Sequence, residues 1–187
     1  RRHADYEERV KAVLNDTTSG VLLIGTELTD ETARPFHEAV LPLVLLDAWM
    51  PHLAFNAVLM DNEGGAMAAV EHLIAHGHKR IGYLSGGLRI QNFQARERGF
   101  RLAMEAHGLA VDERFLFEVP PSIQGSHERM LQILAERCEM PTAFFADNDM
   151  IALGAMQAFQ THGWRLPEDV SIVGFDDISF GEVFSPG

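Results

Sequence analysis

One stretch near the end of the chain constrains the fold more than any other. An apolar run, Thr142–Ala146, ends in Asp-Asn-Asp at residues 147–149, and a second apolar run, Val170–Phe175, ends in Asp-Asp at residues 176–177. The residues between the runs are apolar at helical spacing, with capping side chains before them and a glycine after them, so a helix capped by Asp149 is predicted. Because the carboxyl ends of parallel strands line the crevice where ligands bind, both acidic clusters are predicted to face one site.

The rest of the chain repeats this alternation of strands and helices, which predicts a doubly wound α/β fold with parallel sheets. One helix is predicted from about Gln94 to His107. Arg96 and Arg98 would then lie in its first turn, where the helix dipole disfavours cations, so an anion or a ligand oxygen is expected there. The other predicted helices cover residues 5–14, 30–39, 66–74 and 124–138, and the other predicted strands cover residues 20–25 (a buried strand), 43–47, 57–61, 80–84 and 115–119.

Composition limits where such a chain works and what it binds. Its 187 residues are 47% hydrophobic, enough for one ordinary domain or two small lobes, and no apolar run approaches the roughly 18 residues of a membrane span. The single cysteine, Cys138, is predicted to be a packed thiol, and a chain without an internal disulfide fits the reducing cytoplasm. With 27 acidic residues against 15 Lys and Arg, the net charge of −12 would repel phosphate backbones. This chain by itself is therefore not expected to bind nucleic acid.

Motifs for cofactors and metals were sought directly. The sequence has no G-x-G pair, no G-x-x-x-x-G-K and no G-x-S-x-G, so no dinucleotide or other cofactor is expected. His72 and His76 stand four residues apart with His78 just beyond, a spacing that could bind a metal. No carboxylate or cysteine completes the set on the same helix face, and a metal site is not expected.

An enzyme remains an alternative at the two acidic clusters. Asp147 and Asp149 resemble the D-x-D of haloacid-dehalogenase-type phosphatases, with residues 176–177 as the distal acids. Such chemistry needs a cation to hold the phosphoryl group. The only lysines, Lys11 and Lys79, do not lie between the clusters, so the phosphatase is the less favoured interpretation and no phosphatase activity is expected.

Three strings carry a resemblance to a known family. They are EHLIAHGHKRIGYLSG at residues 71–86, R-x-x-G-F at 96–100, and PTAFFADNDMIALGAMQAFQTHGWRLPEDVSIVGFDD at 141–177. Together they resemble the regulatory core of lactose-repressor-type (LacI/GalR) transcription regulators. The resemblance implies a periplasmic-binding-protein-like core of two α/β lobes closing on a small effector, usually a sugar or a nucleobase. It also implies a homodimer or tetramer and a helix-turn-helix head for DNA, and nothing in this chain resembles that head.

The same resemblance divides the chain. Residues 1–61 are expected to be part of the N-terminal lobe and residues 62–187 a nearly complete C-terminal lobe, with the effector cleft between them. The chain would then be a fragment of the regulator. A periplasmic-type sugar receptor would share this fold and is the alternative, although the first twenty residues are charged and do not resemble a signal peptide.

Effector-binding residues are carried over where the family's motifs match. Arg96 of R-x-x-G-F and Asp176 of GFDD are expected to face one crevice, with Asp47 of LVLLD approaching from the other lobe; a structural Arg96–Asp176 ion pair without a ligand is the alternative. Changing Arg96 to Ala is expected to abolish effector binding without unfolding the chain. The remaining candidates are Asn148 at its strand tip, a polar residue at Asn92 (or Ile90), and an apolar stacking face from Phe93, Phe117 or Trp49.

Overall fold

The computed structural model describes residues 2–14, 17–39, 41–136 and 139–179. The chain divides into two compact units, the first comprising Arg1–Met60 and Ile90–Asn92 and the second comprising Asp61–Arg89 and Phe93–Gly187. The division after Met60 lies one residue from the boundary predicted after Asp61, but residues 90–92 belong to the first unit. Cys138 and the last residues of the chain lie outside the described ranges.

The first unit is a small parallel sheet with helices. Its elements are α1 (Arg2–Val13), β1 (Val21–Ile24), α2 (Asp30–Glu38), β2 (Leu43–Leu46) and β3 (Asn56–Val58), and the strands lie in the order β1-β2-β3. Each neighbouring pair of strands is parallel. Ala33 of α2 packs with Leu45 of β2 and with Met50, and these three side chains form the buried core.

The prediction that residues 20–25 form a buried strand is wrong for half of its side chains. Leu22 and Ile24 of β1 are 72% and 73% exposed, whereas Leu23 packs against the core. Successive side chains of a strand point to opposite faces of the sheet. Only one face of β1 therefore contributes to the core. The third strand is also shorter than predicted, since β3 ends at Val58 rather than at Asp61.

The second unit is a four-stranded parallel sheet in the order β5-β4-β6-β7. Its helices are α3 (Asn62–Ala75), α4 (Gln91–Ala106), α5 (Ile123–Glu136) and α6 (Asp149–Thr161). Its strands are β4 (Ile81–Ser85), β5 (Leu116–Glu118), β6 (Ala143–Ala146) and β7 (Ser171–Val173), with a 3₁₀ turn at Glu113–Phe115. Gln91 and Asn92 of α4 belong to the first unit, and the rest of that helix belongs to the second.

Helices cover both faces of this second sheet. Side chains of α5 and α6 pack with Leu84 and Phe144 on one face. Side chains of α3 and α4 pack with Tyr83 and Phe145 on the other face. The two central strands, β4 and β6, are almost completely buried, as expected for a parallel sheet with helices on both sides, whereas β5 and β7 are partly exposed. The doubly wound α/β fold predicted from the sequence is confirmed.

Among the residues that the structure describes, no helix is long and apolar enough to cross a membrane.

Candidate functional site

Arg96 is the centre of the polar site in the second unit. Its guanidinium donates from Nε to Asn62 Oδ1 at 2.8 Å, from Nη2 to Asp176 Oδ1 at 3.0 Å, and from Nη1 to the backbone carbonyl of Asp147. Its Cζ lies over the ring of Phe175, 3.8 Å from the ring centre. Only 3% of the Arg96 side chain is exposed. Arg96 and Asp176 thus lie together as predicted, in the direct ion pair that was expected as the alternative to a shared ligand.

The structure corrects the reason given for placing Arg96 there. Helix α4 begins at Gln91, three residues earlier than predicted, so Arg96 and Arg98 lie in the second turn and not in the first. The helix dipole falls off within the first turn and does not explain the arginine. The expectation that Arg96 carries little packing is also wrong, because the side chain is buried and has four partners.

A close crossing of two helices brings Arg96 to its partners. A methyl group at Gly99 would come within 2.3 Å of the Glu63 carbonyl oxygen, so α4 can approach the first turn of α3 only with glycine there. Asn62 is the first residue of α3, next to Asp61, whose side chain caps the helix through the Gly64 N–H. The glycine of R-x-x-G-F therefore permits the contact that its arginine makes.

Asp147 lies beneath the arginine and is completely buried. Its carboxylate accepts hydrogen bonds from the Tyr83 hydroxyl and, at 2.7 Å, from the Gly86 N–H. Burial raises the pKa of Asp147 to about 6, although these two hydrogen bonds and the Arg96 charge favour the ionised form. Burial, and then the Asp147 charge, also raise the pKa of Tyr83. Both oxygens of Asp147 are used inside the protein.

That burial removes the basis of the phosphatase interpretation. A nucleophilic aspartate has to present an oxygen to a substrate, whereas Asp147 has no exposed surface. Its carboxylate joins the end of β6 to Tyr83 of β4 and to the loop that follows β4. Asp147 is a structural group of this site.

Two acidic residues follow β7. Asp176 and Asp177 both have positive φ values, 105° and 53°, which Asp tolerates better than most residues. The Asp176 side chain is 35% exposed while it holds Arg96. Asp176 therefore offers a carboxylate both to the arginine and to solvent.

The cap of α6 is not the residue that the sequence predicted. Asn148, not Asp149, is the cap of α6, and its side-chain oxygen accepts from the Ile151 N–H at 3.0 Å. Asp149 is the first residue of the helix, and its carboxylate accepts from the Ile178 N–H at 2.8 Å. Asn148 keeps its place at the strand tip, but the structure gives its oxygen a capping partner.

A cavity of about 430 Å³ lies beside these acids in the second unit. It runs along the edge strand β7 between α3 and α6. Its apolar wall includes Leu153 and Met156, and its polar end includes Asp149, Asp176 and Asp177.

The first unit holds the other two predicted residues. Asp47 follows β2 with a φ of 60°. Its Oδ2 accepts from Asn92 Nδ2 at 2.7 Å and from the Thr26 hydroxyl at 3.1 Å. Among the described residues, its Oδ1 is buried without a hydrogen-bond partner. Asp47 and Asn92 are therefore brought together, with one carboxylate oxygen in need of a donor.

The aromatic candidates do not share one role. Phe93 is buried and lies 5.8 Å from the Arg96 guanidinium. Phe117 is part of the core of the second unit, whereas Trp49 is half exposed in the first. The aromatic ring that does contact the arginine, Phe175, was missed, as was Asn62. Phe175 precedes the candidate Asp176, whereas Asn62 lies beside no predicted site residue, and only the fold shows that their side chains turn towards Arg96.

The three histidines do not form a metal site. The ring nitrogens of His78 lie 3.0 Å from the Thr142 hydroxyl and 3.1 Å from the Ser171 hydroxyl. The pKa of His78 is lowered, mainly by burial and to a smaller extent by the charge of His76. The rings of His72 and His76 lie against each other, 4.3 Å apart. In the described ranges, no group of three or more His, Cys, Asp or Glu side chains is arranged to hold a metal ion.

The sequence of residues 70–187 matches the profile of the periplasmic binding protein-like domain. The chain belongs to this family. The profile covers the second unit from the middle of α3 onward, including R-x-x-G-F and both acidic clusters. The fold expected from the resemblance is confirmed.

The relatives identify the branch of the family. The chain is 31% identical over 186 residues to the HTH-type transcriptional regulator GalS of Salmonella typhimurium, covering 98% of this chain and 54% of that protein. It is 34% identical over 183 residues to the HTH-type transcriptional repressor PurR of Pasteurella multocida, covering 96% of this chain and 54% of that protein. The chain thus spans about half the length of the curated relatives it matches. The resemblance to LacI/GalR-type regulators is confirmed.

Solved structures agree. A complex of the transcriptional regulator CelR with cellobiose superposes with a TM-score of 0.86 at 28% identity, covering 98% of this chain and 56% of that chain. A sugar-binding transcriptional regulator of the LacI family from Escherichia coli, complexed with phosphate, gives a TM-score of 0.84 at 26% identity, covering 98% and 66%.

Proposed function

We propose that this chain is the effector-binding core of a LacI-type transcriptional regulator. It binds a small polar molecule, a sugar in the simplest case, and this binding controls operator DNA through a helix-turn-helix head elsewhere in the full protein. The observation that carries the proposal is the Arg96–Asp176 pair at the carboxyl edge of the second sheet, in a chain whose relatives are named as transcriptional regulators. The regulator would work in the cytoplasm as a homodimer.

The proposed effector residues are Asp47, Asn92, Arg96, Asn148 and Asp176. A sugar hydroxyl can both donate and accept, so one ring can bond a carboxylate and a guanidinium at once. Hydrogen bonds that involve a charged partner are about twice as strong as neutral ones. Asp47 supports this assignment because its Oδ1 is buried and requires a donor that no described residue supplies. Arg96 supports it because three of its five N–H donors have partners among the described residues, which leaves two to serve a ligand.

The effector would act by changing the balance between two arrangements of the core. Its influence is limited to the difference between its affinities for those arrangements. A periplasmic-type sugar receptor would use the same chemistry. The HTH-type names of the relatives favour the regulator.

A thermal-shift screen tests the proposal. The purified chain is heated with neutral mono- and disaccharides, including cellobiose, and with nucleobases. A ligand at a hundred times its dissociation constant adds about 2.7 kcal/mol to the free energy of unfolding, which is a readily measured shift. At least one of these compounds is expected to stabilise the chain.

Matched variants locate the site. Asp176→Asn should weaken binding of the stabilising compound about tenfold or more, because one charge-assisted hydrogen bond is lost. Asn tolerates the positive φ of this position, so the backbone is kept. Asp177→Asn, the neighbouring exposed acid, is the control and should bind as the wild type does. Stabilisation by none of the compounds, or equal binding by Asp176→Asn and the wild type, would contradict the proposal.

A further inference from the structure

We infer that Asn62 and Phe175 are positioning residues for Arg96. Together with the Asp147 carbonyl and Asp176, they form what we call the guanidinium clamp, which fixes the plane in which Arg96 presents its remaining N–H groups. The purpose of the clamp, which is to present Arg96 to an effector, rests on the proposed function. The geometry of the clamp is independent of that function.

Asn62 fixes one edge of the guanidinium. Its Oδ1 accepts from Nε at 2.8 Å, the donor nearest the chain. Together with the Nη2 bond to Asp176, this bond restrains rotation of the guanidinium. Asn62 is itself buried at the start of α3. Because Asn62 belongs to α3, the helix fixes the backbone from which the amide reaches Arg96.

Phe175 fixes the face of the guanidinium. Its ring centre lies 3.8 Å from Cζ, close enough for a stacked cation–π contact. The ring rests on α3, where a methyl group at Gly65 would come within 2.9 Å of it. Gly65 therefore leaves room for the ring between the helix and the arginine. The packing on one side of the plane and the hydrogen bonds along its edges together define a single orientation.

The clamp would keep the N–H donors of the nearly buried Arg96 in one orientation. Guanidinium specificity depends on its fixed fork of donors, and an arginine free to rotate loses that advantage. Asp176, the partner most exposed to solvent, is the one that a ligand can reach. The internal partners Asn62 and Phe175 can keep the fork in place while Asp176 exchanges partners.

NMR of the arginine side chain tests the clamp without any ligand. In the wild type, the Nε–H of Arg96, assigned with an Arg96→Lys variant, should exchange slowly with water, and its Nη protons should be resolved because rotation is blocked. Asn62→Ala should speed exchange of the Nε–H about tenfold or more, since a hydrogen bond to a charged group is lost. Asn62→Asp should restore slow exchange, because a carboxylate oxygen can accept the same bond.

Two further variants separate positioning from general packing. Phe175→Leu should speed exchange of the Nη protons with water while the Nε–H stays protected, because it removes the ring over the guanidinium and leaves the Asn62 bond. Glu63→Gln is the control: it weakens the exposed Arg98–Glu63 pair between the same two helices and should leave both Arg96 signals unchanged. The fluorescence of Trp164 confirms that each variant is folded.

The outcomes are distinct. Unchanged Arg96 exchange in folded Asn62→Ala, or failure of Asn62→Asp to restore protection, would overturn the role of Asn62. Unchanged Nη exchange in folded Phe175→Leu would overturn the role of Phe175. A clamped Arg96 in a chain that binds none of the screened sugars or nucleobases would leave the clamp standing and remove the proposed function alone.

Discussion

Replacing Asp147 by Asn should remove a dependence of stability on pH. Burial raises the pKa of this carboxyl from 3.8 to about 6 in the folded chain. Between these values the folded state holds a proton that the unfolded state has released, so the wild type loses stability as the pH rises. Two pKa units correspond to about 3 kcal/mol at about 1.4 kcal/mol per unit. The wild type should therefore be less stable at neutral pH than at about pH 4 by roughly this contribution from Asp147.

Asparagine can imitate the protonated acid at this position. Its Oδ1 can accept from the Gly86 N–H, and its Nδ2 can donate to the Tyr83 oxygen. The Tyr83 hydroxyl already lies 3.4 Å from the Phe93 carbonyl and can donate there instead. The variant thus keeps a partner for each polar group and loses only the buried charge.

The assay is urea unfolding from about pH 4 to about pH 8, followed by fluorescence. Trp164 packs against Phe159 in the second unit, and a Trp49→Phe background makes it the only tryptophan of the chain. The free energy of unfolding of the Asn variant minus that of the wild type should increase by about 3 kcal/mol across this range.

Asp169→Asn is the matched control. Arg165 holds the pKa of this exposed acid at about 2 by hydrogen bonding. Its stabilisation is present above the ordinary pKa and is lost only as the pH falls from about 4 towards 2, so the control difference should be flat over the assay range. A flat difference for Asp147→Asn, or one of the opposite sign, would refute the argument.

Two further predictions concern the helix crossing and the effector. Gly99→Ala should lower the free energy of unfolding by about 1–3 kcal/mol or more in the same urea assay, because its methyl group would meet the Glu63 carbonyl; a neutral effect would show that α3 and α4 can separate at no cost. A sugar phosphate should stabilise the chain no more than its neutral parent sugar in thermal shift, because the Arg96 charge is already paired with Asp176; a larger shift with the phosphate would contradict this.

The alternation of elements could be predicted because it depends on local patterns. Apolar runs and helical spacing gave the strands and helices of the second unit to within a few residues. The start of α4 could not be found in this way. Gln91 exchanges two hydrogen bonds with the backbone of Trp49, and the Phe93 ring lies where a side chain at Gly86 would be. The first contact joins residues 42 positions apart, and together the two contacts accompany a helix that begins almost a turn earlier than predicted.

The capping residue shows the same limit on a smaller scale. Asp and Asn are about equally good caps, so the sequence Asp-Asn-Asp could not decide between them. In the structure, the Asp149 carboxylate accepts a hydrogen bond from the Ile178 N–H, and Asn148 is the cap. Exposure of β1 was misjudged for a related reason. An apolar run does not reveal whether both faces of its sheet are covered.

The site itself could be predicted only in part. The pairing of Arg96 with Asp176 followed from the family resemblance, whereas Asn62 and Phe175 could be found only from the way α3, α4 and β7 meet. Asn62 lies 34 residues before Arg96 in the chain. No local pattern links an amide at a helix start to an arginine on the next helix.

The Arg96–Asp176 ion pair changes what an effector has to provide. Because the guanidinium is already compensated by a carboxylate at 3.0 Å, an anionic ligand would have to displace Asp176 or lie close to it, and either arrangement places two negative charges together. A neutral hydroxyl can instead accept from an Arg96 N–H and donate to the exposed Asp176 oxygen without breaking the pair. The Oδ1 of Asp47, which has no hydrogen-bond partner among the described residues, likewise requires a donor. If the proposed site binds the effector, Asp47, Arg96 and Asp176 would therefore favour an uncharged molecule rich in hydroxyl or N–H groups, and the ion pair would contribute to recognition by excluding anions.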